Sequence, residues 1–301
     1  MSPPGLDRPR LLVIGGCGGL VGRAILEEFG ADRTIRSLHP HRAPGEASAG
    51  VEWVPGDVGD QTDWSPLLQD VDTVLNVAWY RTGSLRRFRP LANGLKRLID
   101  ASEAAGIRRF LHVSVPSAPS DLETDLPYLA LKREVDRTLA ESHLAYAIVR
   151  PTMLFGPRDK LLSVMLRTAQ RYHRLPLFGT GEYHVSPLAA RDLARILRRE
   201  GDAGARQTVD AGGPRRWTYL ELTDRIFEAL GRPPRYLRLS GPNGTRLARV
   251  LEGLGSSLIY AYEVSWLLSD MLGLAPYEGL SPPLERVEPF LDSEGRRLRS
   301  G

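Results

Sequence analysis

A glycine-rich loop, between an apolar segment and a helical pattern, constrains the fold of this chain more than any other feature. Four consecutive apolar residues at 11–14 precede the glycines, and the apolar residues that follow Gly22 recur at helical spacing. An apolar run bounded by glycine is typical of a strand that is buried on both faces. The segment therefore predicts a central strand that a glycine loop joins to a helix.

The glycine spacing indicates what the loop would hold. The loop fits Gly16-x-x-Gly19-x-x-Gly22, whereas a frame that uses Gly16 and Gly18 would need a small residue at Val21. Glycine clusters also serve as simple turns. A helix N-terminus, however, presents unpaired backbone N–H groups and the positive end of its dipole, which suits a pyrophosphate. We therefore expect a dinucleotide here, with contacts at Gly16, Gly18, Gly19, Leu20, Val21 and Gly22.

The end of the second predicted strand, residues 33–38, carries basic residues and no carboxylate. In a dinucleotide fold, an acidic residue at this point hydrogen-bonds the 2′-hydroxyl of NAD. This segment instead holds Arg36 and His39, followed by His41 and Arg42. Basic side chains suit the 2′-phosphate of NADP, so Arg36 and His39 are predicted cofactor contacts and NADP is favoured over NAD. The alternative is that these residues are solvated surface charges.

The ends of two further strands supply other predicted cofactor contacts. The third strand, Val51–Pro55, leads into a turn with Asp57 and Val58. Asp57 would accept from an adenine amino group, or else cap the turn or the next helix. The fourth strand ends in Asn76 and Ala78, small residues against which a cofactor could lie.

Strand and helix patterns alternate along the first half of the chain. Further strands are predicted at 72–78, 110–114 and 146–149, and helices at 85–105 and 128–141. This alternation indicates an α/β fold, a doubly wound parallel sheet with ligands over the carboxyl ends of its strands. We expect a dinucleotide-binding domain at 10–155, to which segments near 183–212 return, and a smaller, mostly helical substrate region at 156–301. In that region, 257–272 is expected to be a packed core helix.

Tyr128 and Lys132 stand four residues apart in a predicted helix and therefore share one face. A nearby cation favours phenolate and lowers a tyrosine pKa, which makes the phenol a better acid toward a carbonyl that receives hydride. The same ammonium suits the nicotinamide ribose hydroxyls. Lysine is rare here, three of 40 basic residues, so a lysine at this position indicates that a compact donor is required. The alternative is a chance spacing.

Composition limits the other possibilities. The formal net charge is only +4, and no dense basic block occurs, so nucleic acid is not a predicted partner. The single cysteine, Cys17, excludes an internal disulfide and fits a reducing compartment. No apolar run approaches the length of a membrane span. We expect a cytoplasmic protein without a metal site.

As a set, these motifs resemble the short-chain dehydrogenase/reductase superfamily, in its extended and atypical branches. The resemblance covers residues 10–230 through the glycine loop, Gly56-Asp57, Asn76-Val-Ala78, His112-Val-Ser114, Tyr128-x-x-x-Lys132, Arg150-Pro151, Gly156-Pro157 and the helix with Asp192. It implies a Rossmann fold, a nicotinamide cofactor with Pro151 among its contacts, Tyr128 as acid/base and Lys132 as ribose ligand. The atypical branch includes NADPH-carrying accessory subunits of respiratory complex I, so a homodimer or an assembly partner is compatible with the resemblance.

One departure from the family pattern concerns the third catalytic group. A Ser or Thr that hydrogen-bonds the substrate carbonyl normally follows the position of Ser114, where this chain has Val115. Ser114, or else Ser117, is the candidate substitute, although serines near prolines also serve in turns. Two hypotheses follow. The protein is an NADP(H)-dependent oxidoreductase of a small carbonyl or alcohol, with a sugar-nucleotide epimerase or dehydratase as a sub-case, or it binds the cofactor without turnover.

Overall fold

The computed structural model describes residues 10–15, 18–40, 51–61, 63–79, 85–118, 126–157, 159, 161–254 and 260–300. The chain divides into two compact units. The first comprises 1–115, 127–150 and 193–209, and the second comprises 116–126, 151–192 and 210–301. Gly16 and Cys17 of the glycine loop lie outside the described residues.

The first unit contains the predicted parallel sheet. Its strands are β1 (Arg10–Ile14), β2 (Thr34–His39), β3 (Val51–Pro55), β4 (Thr73–Asn76), β5 (Arg109–Val113) and β6 (Tyr146–Pro151), and they pair in parallel. β11 (Gln207–Ala211) adds a seventh strand beside β6, which gives the order β11-β6-β5-β4-β1-β2-β3. The expected α/β fold with a doubly wound parallel sheet is confirmed.

The order of strands around β1 determines where a ligand would lie. β1 pairs with β2 on one side and with β4 on the other, and its register places Ile14 beside Asn76. Residues 11–14 are completely buried, as the apolar run predicts for a central strand. From β1 the chain continues to β2 and β3 on one side of the sheet and then crosses to β4 on the other side of β1. The carboxyl ends of β1 and β4 therefore form a topological switch point. Open α/β sheets bind their ligands at such a point.

Helices connect the strands of the first unit. They are α1 (Leu20–Phe29), α2 (Ser65–Leu68), α3 (Leu85–Ala104) and α4 (Pro127–Glu141), with α6 (Ala190–Asp202) later in the chain. The predicted helices at 85–105 and 128–141 therefore agree with the structure to within one residue at each end. Arg198 of α6 pairs with Glu28 at 2.8 Å and with Asp32 at 2.9 Å. α6 is thereby tied to the end of α1.

The second unit is built on short strand pairs and helices. Its strands are β7 (Leu154–Phe155), β8 (Leu175–Phe178), β9 (His184–Val185), β10 (Leu188–Ala189), β12 (Trp217–Thr218) and β13 (Tyr236–Leu239). Its helices are α5 (Leu162–Tyr172), α7 (Tyr219–Ala229), α8 (Gly241–Gly253), α9 (Ala261–Leu268) and α10 (Val287–Ser300). β7 pairs with β10, β8 with β13 and β9 with β12.

The core of the second unit draws on most of these elements, including Leu166 of α5, Phe178 of β8 and Phe227 of α7. α9 occupies part of the stretch that was expected to be a core helix, and its Val264 is completely buried in that core. Within the described part of the chain, no helix is both long enough and apolar enough to cross a membrane.

Candidate dinucleotide site and active site

Gly15 brings the end of β1 into contact with the end of β4. Its φ is +78°, a conformation that residues with a side chain rarely adopt. A Cβ built on Gly15 would lie 2.3 Å from the Cβ of Ala78. The backbone N–H of Gly15 also donates to the carbonyl of Leu38 at 3.1 Å. Position 15 therefore requires glycine, and the small Ala78 allows the two strand ends to meet.

The rest of the described glycine loop leaves space beside the start of α1. Gly19 precedes the helix in an extended conformation, with φ −99° and ψ −174°, and no side chain of the described residues caps it. Leu20 and Val21 begin the helix, and Gly22 is buried within it. A Cβ built on Gly18 would have only the His39 Nε2 within 4 Å, at 3.8 Å. The loop therefore provides helix N–H groups and open space next to His39.

Arg36 and His39, the two predicted phosphate contacts, have different surroundings. The Arg36 guanidinium donates to Glu52 at 2.9 Å and to the carbonyls of Pro66, Leu67 and Gln69 at 3.3, 2.8 and 3.0 Å. Arg36 is only 7% exposed. In place of the expected phosphate contact, Arg36 joins β2 to β3 and to the segment around α2. Only His39 lies beside the glycine loop.

The other predicted cofactor contacts lie at strand ends or just beyond them. Asp57 accepts from the backbone N–H of Gly59 at 2.8 Å, which is the turn-capping alternative, and Val58 is buried. Asn76 is fully buried, and its side-chain oxygen accepts from the backbone N–H of Ala78 at 3.0 Å. This bond shapes the turn that carries Ala78 toward Gly15. Pro151 begins a segment of the second unit.

Tyr128 and Lys132 both contact the indole ring of Trp79. The Lys132 Nζ lies 4.5 Å from the centre of the Trp79 ring and donates to the carbonyl of Val113 at 3.0 Å. The Tyr128 ring packs edge-to-face on Trp79 at 5.4 Å and on Phe88 at 5.0 Å. Trp79 directly follows Ala78, so the predicted catalytic pair lies next to the strand end that touches Gly15.

Trp79 was not among the predicted site residues. Its indole Nε1 is buried, and no hydrogen-bond partner for it occurs among the described residues. A buried N–H group without a partner is costly. An acceptor on a bound cofactor or substrate would satisfy it. In the sequence, only the position of Trp79 pointed to the site, because it directly follows the small residues at the end of β4.

Burial makes the Lys132 ammonium easier to deprotonate. The residue is 3% exposed, and its burial lowers the pKa to about 8, against an ordinary value of 10.5, although Asp136 partly compensates. The ammonium form still predominates at neutral pH. A lysine with a pKa near the working pH is typical of functional sites.

Asp136, one helical turn beyond Lys132, is the centre of a buried polar network. It accepts from the Ser114 hydroxyl at 2.9 Å and pairs with Arg133 at 2.9 Å and with Arg150 at 3.5 Å. The His112 Nε2 lies 3.3 Å from its Oδ1. Burial opposes ionisation, but His112, Ser114 and the charge of Lys132 outweigh it, so the pKa of Asp136 lies well below its usual range.

His112 connects this network to β4. Its ring is fully buried, and burial lowers its pKa, although Asp136 acts in the opposite direction. The His112 Nδ1 lies 2.8 Å from the side-chain nitrogen of Asn76. Because the Asn76 oxygen accepts from Ala78, the amide nitrogen faces His112 and donates to it. The neutral imidazole then carries its proton on Nε2, toward Asp136.

Ser114 therefore differs from the expectation that it would hold a substrate carbonyl. It is 3% exposed, and its hydroxyl proton is directed to Asp136. Val115 is apolar, and its backbone carbonyl accepts from Arg133 at 3.2 Å. The structure thus brings Tyr128 and Lys132 together with Trp79, and it brings Ser114 into the network of Asp136.

Comparison with known families and proteins agrees with this geometry. Residues 15–170 match the model of a family described as NAD(P)H-binding. The chain is 25% identical over 156 residues to mitochondrial NADH dehydrogenase (ubiquinone) 1 alpha subcomplex subunit 9 of Arabidopsis thaliana, a match to 51% of this chain but only 38% of that subunit. It is 26% identical over 280 residues to 2-alkyl-3-oxoalkanoate reductase of Stenotrophomonas maltophilia, a match to 81% of this chain and 83% of the reductase.

Solved structures share the fold at lower sequence identity. A UDP-N-acetylglucosamine 4-epimerase from Methanobrevibacter ruminantium has a TM-score of 0.70 at 16% identity, and the match covers 97% of this chain and 99% of the epimerase. A dTDP-glucose 4,6-dehydratase from Bacillus anthracis, in complex with NAD, has a TM-score of 0.68 at 17% identity and covers 97% of each chain. The chain belongs to the NAD(P)H-binding family, with the Rossmann fold of the extended short-chain dehydrogenase/reductases.

Proposed function

We propose that this protein is an NADP(H)-dependent oxidoreductase that transfers hydride between the nicotinamide and a small carbonyl or alcohol, with Tyr128 as the proton donor. One observation carries the proposal. The end of β1 touches the end of β4 through Gly15 and Ala78, and the next residue, Trp79, contacts both Tyr128 and Lys132. The glycine loop and the proton-donor pair therefore belong to one continuous set of contacts.

The residues of this set fit a dinucleotide. The start of α1 presents backbone N–H groups toward a pyrophosphate, and Gly18 leaves space beside it. Among the described residues, the buried indole N–H of Trp79 has no acceptor. The bound nicotinamide would supply or accept the hydride. Tyr128 would give its proton to the carbonyl oxygen, and the Lys132 ammonium would favour the resulting phenolate.

Gly19→Val is expected to weaken dinucleotide binding without unfolding the protein. The extended backbone at Gly19 suits a β-branched residue, but the side chain would stand where the pyrophosphate meets the helix. Loss of one charge-assisted hydrogen bond of about 1.5–3 kcal/mol corresponds to a Kd increase of roughly tenfold to 150-fold. Fluorescence titration with NADPH measures the change.

The matched control is Gly253→Val, because a Cβ at Gly253 has open space around it. Both variants should retain the circular dichroism spectrum of the wild type. Unchanged NADPH affinity in a folded Gly19→Val protein would show that the pyrophosphate lies elsewhere.

We also propose a preference for NADPH over NADH, with His39 as the residue that carries it. His39 ends β2 beside Gly18, where no carboxylate stands among the described residues of that strand end. One charge-assisted contact to the 2′-phosphate, worth about 1.5–3 kcal/mol, gives a preference of roughly tenfold to 150-fold. His39→Ala should reduce this preference, whereas His143→Ala, at an exposed histidine, should leave it unchanged. An equal affinity of the wild type for both cofactors would refute the preference.

The relative named 2-alkyl-3-oxoalkanoate reductase, which matches most of the chain, supports a carbonyl substrate. A second candidate function is cofactor binding without turnover, as in a redox sensor or an assembly subunit. The observation in its favour is that Val115 is apolar and that Ser114 donates to Asp136, so neither supplies a hydroxyl to a carbonyl. The match to a subunit of NADH dehydrogenase supports the same candidate.

A further inference from the structure

The second unit contains a cavity of about 260 Å³. Its lining includes Met165 of α5, Phe178 of β8, Leu247 and Leu251 of α8, and Trp266 of α9. We propose that this cavity binds the alkyl chain of an amphiphilic ligand. The proposal concerns binding by the second unit and does not depend on hydride transfer in the first.

The size of the cavity distinguishes it from a packing defect. Protein interiors are close-packed and hold few voids larger than one water molecule. Cavities lined mainly by apolar side chains accept apolar guests. α8 nevertheless packs tightly at its first turn, where a Cβ on Gly244 would lie 2.4 Å from the ring of Phe178. The helix is therefore held against the core at one end while space remains beside Leu247 and Leu251.

The mainly apolar lining of the cavity favours a hydrocarbon chain over a sugar or a nucleotide. Most of the lining side chains are apolar, and two of the polar ones, Thr152 and Glu263, already make hydrogen bonds. The Thr152 hydroxyl donates to the carbonyl of Ser186, and the Glu263 carboxylate accepts from the backbone N–H of Tyr260 at 3.0 Å. A sugar in this cavity would lose its hydrogen bonds to water and would gain few in return, which is unfavourable. An alkyl chain loses none.

The cavity opens at Leu247, which lines it and is also 39% exposed. Val250 and Leu254 follow at three and seven positions along the chain and are 59% and 78% exposed. Residues at this spacing lie on one face of a helix, so the apolar surface continues outside the mouth. The polar end of an amphiphile would remain in water at this mouth while its chain enters.

The volume sets the length of the chain. Since an apolar cavity of about 150 Å³ holds benzene, a guest of six carbons, a cavity of about 260 Å³ should hold a chain of roughly eight to ten carbons. Each methylene that enters should raise the affinity about fourfold, and methylenes beyond that length should add little.

Isothermal titration of the full chain with straight 1-alkanols, from 1-butanol to 1-dodecanol, tests the proposal in the absence of any dinucleotide. The expected result is an affinity that rises about fourfold per carbon and levels off at roughly eight to ten carbons. Leu247→Trp should narrow the mouth and reduce 1-octanol affinity at least tenfold. Arg249→Trp should leave it unchanged, because Arg249 is exposed on the opposite face of the same helix.

Two results would overturn the proposal. One is the absence of binding at every chain length. The other is an affinity that increases without levelling off and that Leu247→Trp leaves unchanged, because that pattern indicates adsorption to an exposed surface of the protein. Met165→Phe provides a second variant, which reduces the volume of the cavity from α5, and it should shorten the chain length at which the affinity levels off.

Discussion

Tyr128→Phe is expected to lower kcat for carbonyl reduction by about a hundredfold to ten-thousandfold, the range found for a lost general acid. The phenol hydroxyl is the proton donor in the proposed reaction, and phenylalanine keeps the ring that packs on Trp79 and Phe88. The affinity for NADPH should therefore stay within about twofold, since the change removes an interaction made only in the transition state. Steady-state kinetics and a fluorescence titration measure the two quantities.

Tyr146→Phe is the matched control for this change. Tyr146 lies on β6 in the same unit and is also largely buried, at 9% exposed compared with 7% for Tyr128. It should keep the wild-type rate. Equal rates for wild type and Tyr128→Phe would exclude Tyr128 as the acid.

Asp136→Ala is expected to lower the free energy of unfolding by about 3–5 kcal/mol, the usual cost of removing one partner of a buried ion pair. The substitution leaves Arg133 and Arg150 without their shared carboxylate and the Ser114 hydroxyl without its acceptor. Chemical denaturation measures the change. A surface pair gives the comparison, because Asp202→Ala breaks the exposed pair with Arg33 and should cost no more than about 1 kcal/mol.

The pH dependence of this contribution follows from the direction of the shift. The pKa of Asp136 is lower in the folded protein than its ordinary value of 3.8. The stabilisation is therefore complete above about pH 4 and is lost as the pH falls toward the folded-state pKa. Asp136→Ala should flatten the acid limb of the stability curve. Equal stability losses in the Asp136 and Asp202 variants would show that the network contributes nothing beyond a surface pair.

The sequence predicts those parts of the fold and site that depend on local patterns. Residues 11–14 are buried on both faces because an apolar run must be covered by neighbouring layers, and the glycine loop follows from the same segment. The spacing of Tyr128 and Lys132 places them on one face of α4, and the structure packs both on Trp79. These features need no knowledge of which strands become neighbours.

The network of Asp136 depends on distant segments and is not visible in any local pattern. Asn76, His112 and Ser114 come from β4, from β5 and from the residue after β5, and they meet a helix residue only when the sheet has formed. One signal was present, because Asp136 follows Lys132 by four residues and shares its face of the helix. The side chain that it would meet could not be read from that spacing.

Side chains along a strand point alternately to the two faces of the sheet, which explains why Arg36 and His39 have different surroundings. Side chains at positions of odd separation point to opposite faces of a sheet, so the two residues could not both reach one phosphate from β2. Arg36 satisfies its guanidinium on Glu52 and on backbone carbonyls. Basic composition alone indicates the charge of this strand end and does not indicate its direction.

Transfer of deuterium from NADPH labelled at C4 of the nicotinamide would show whether this protein transfers hydride. Each face of the ring would be labelled in a separate experiment. The 301-residue chain would be incubated with a panel of aldehydes and ketones of increasing alkyl length, and the alcohols would be analysed by mass spectrometry. Hydride transfer would place deuterium in at least one alcohol from one labelled face only, and Tyr128→Phe should form at least a hundredfold less of that alcohol in the same time. NADPH binding by the wild type without deuterium in any alcohol would contradict the oxidoreductase assignment and would establish cofactor binding without turnover.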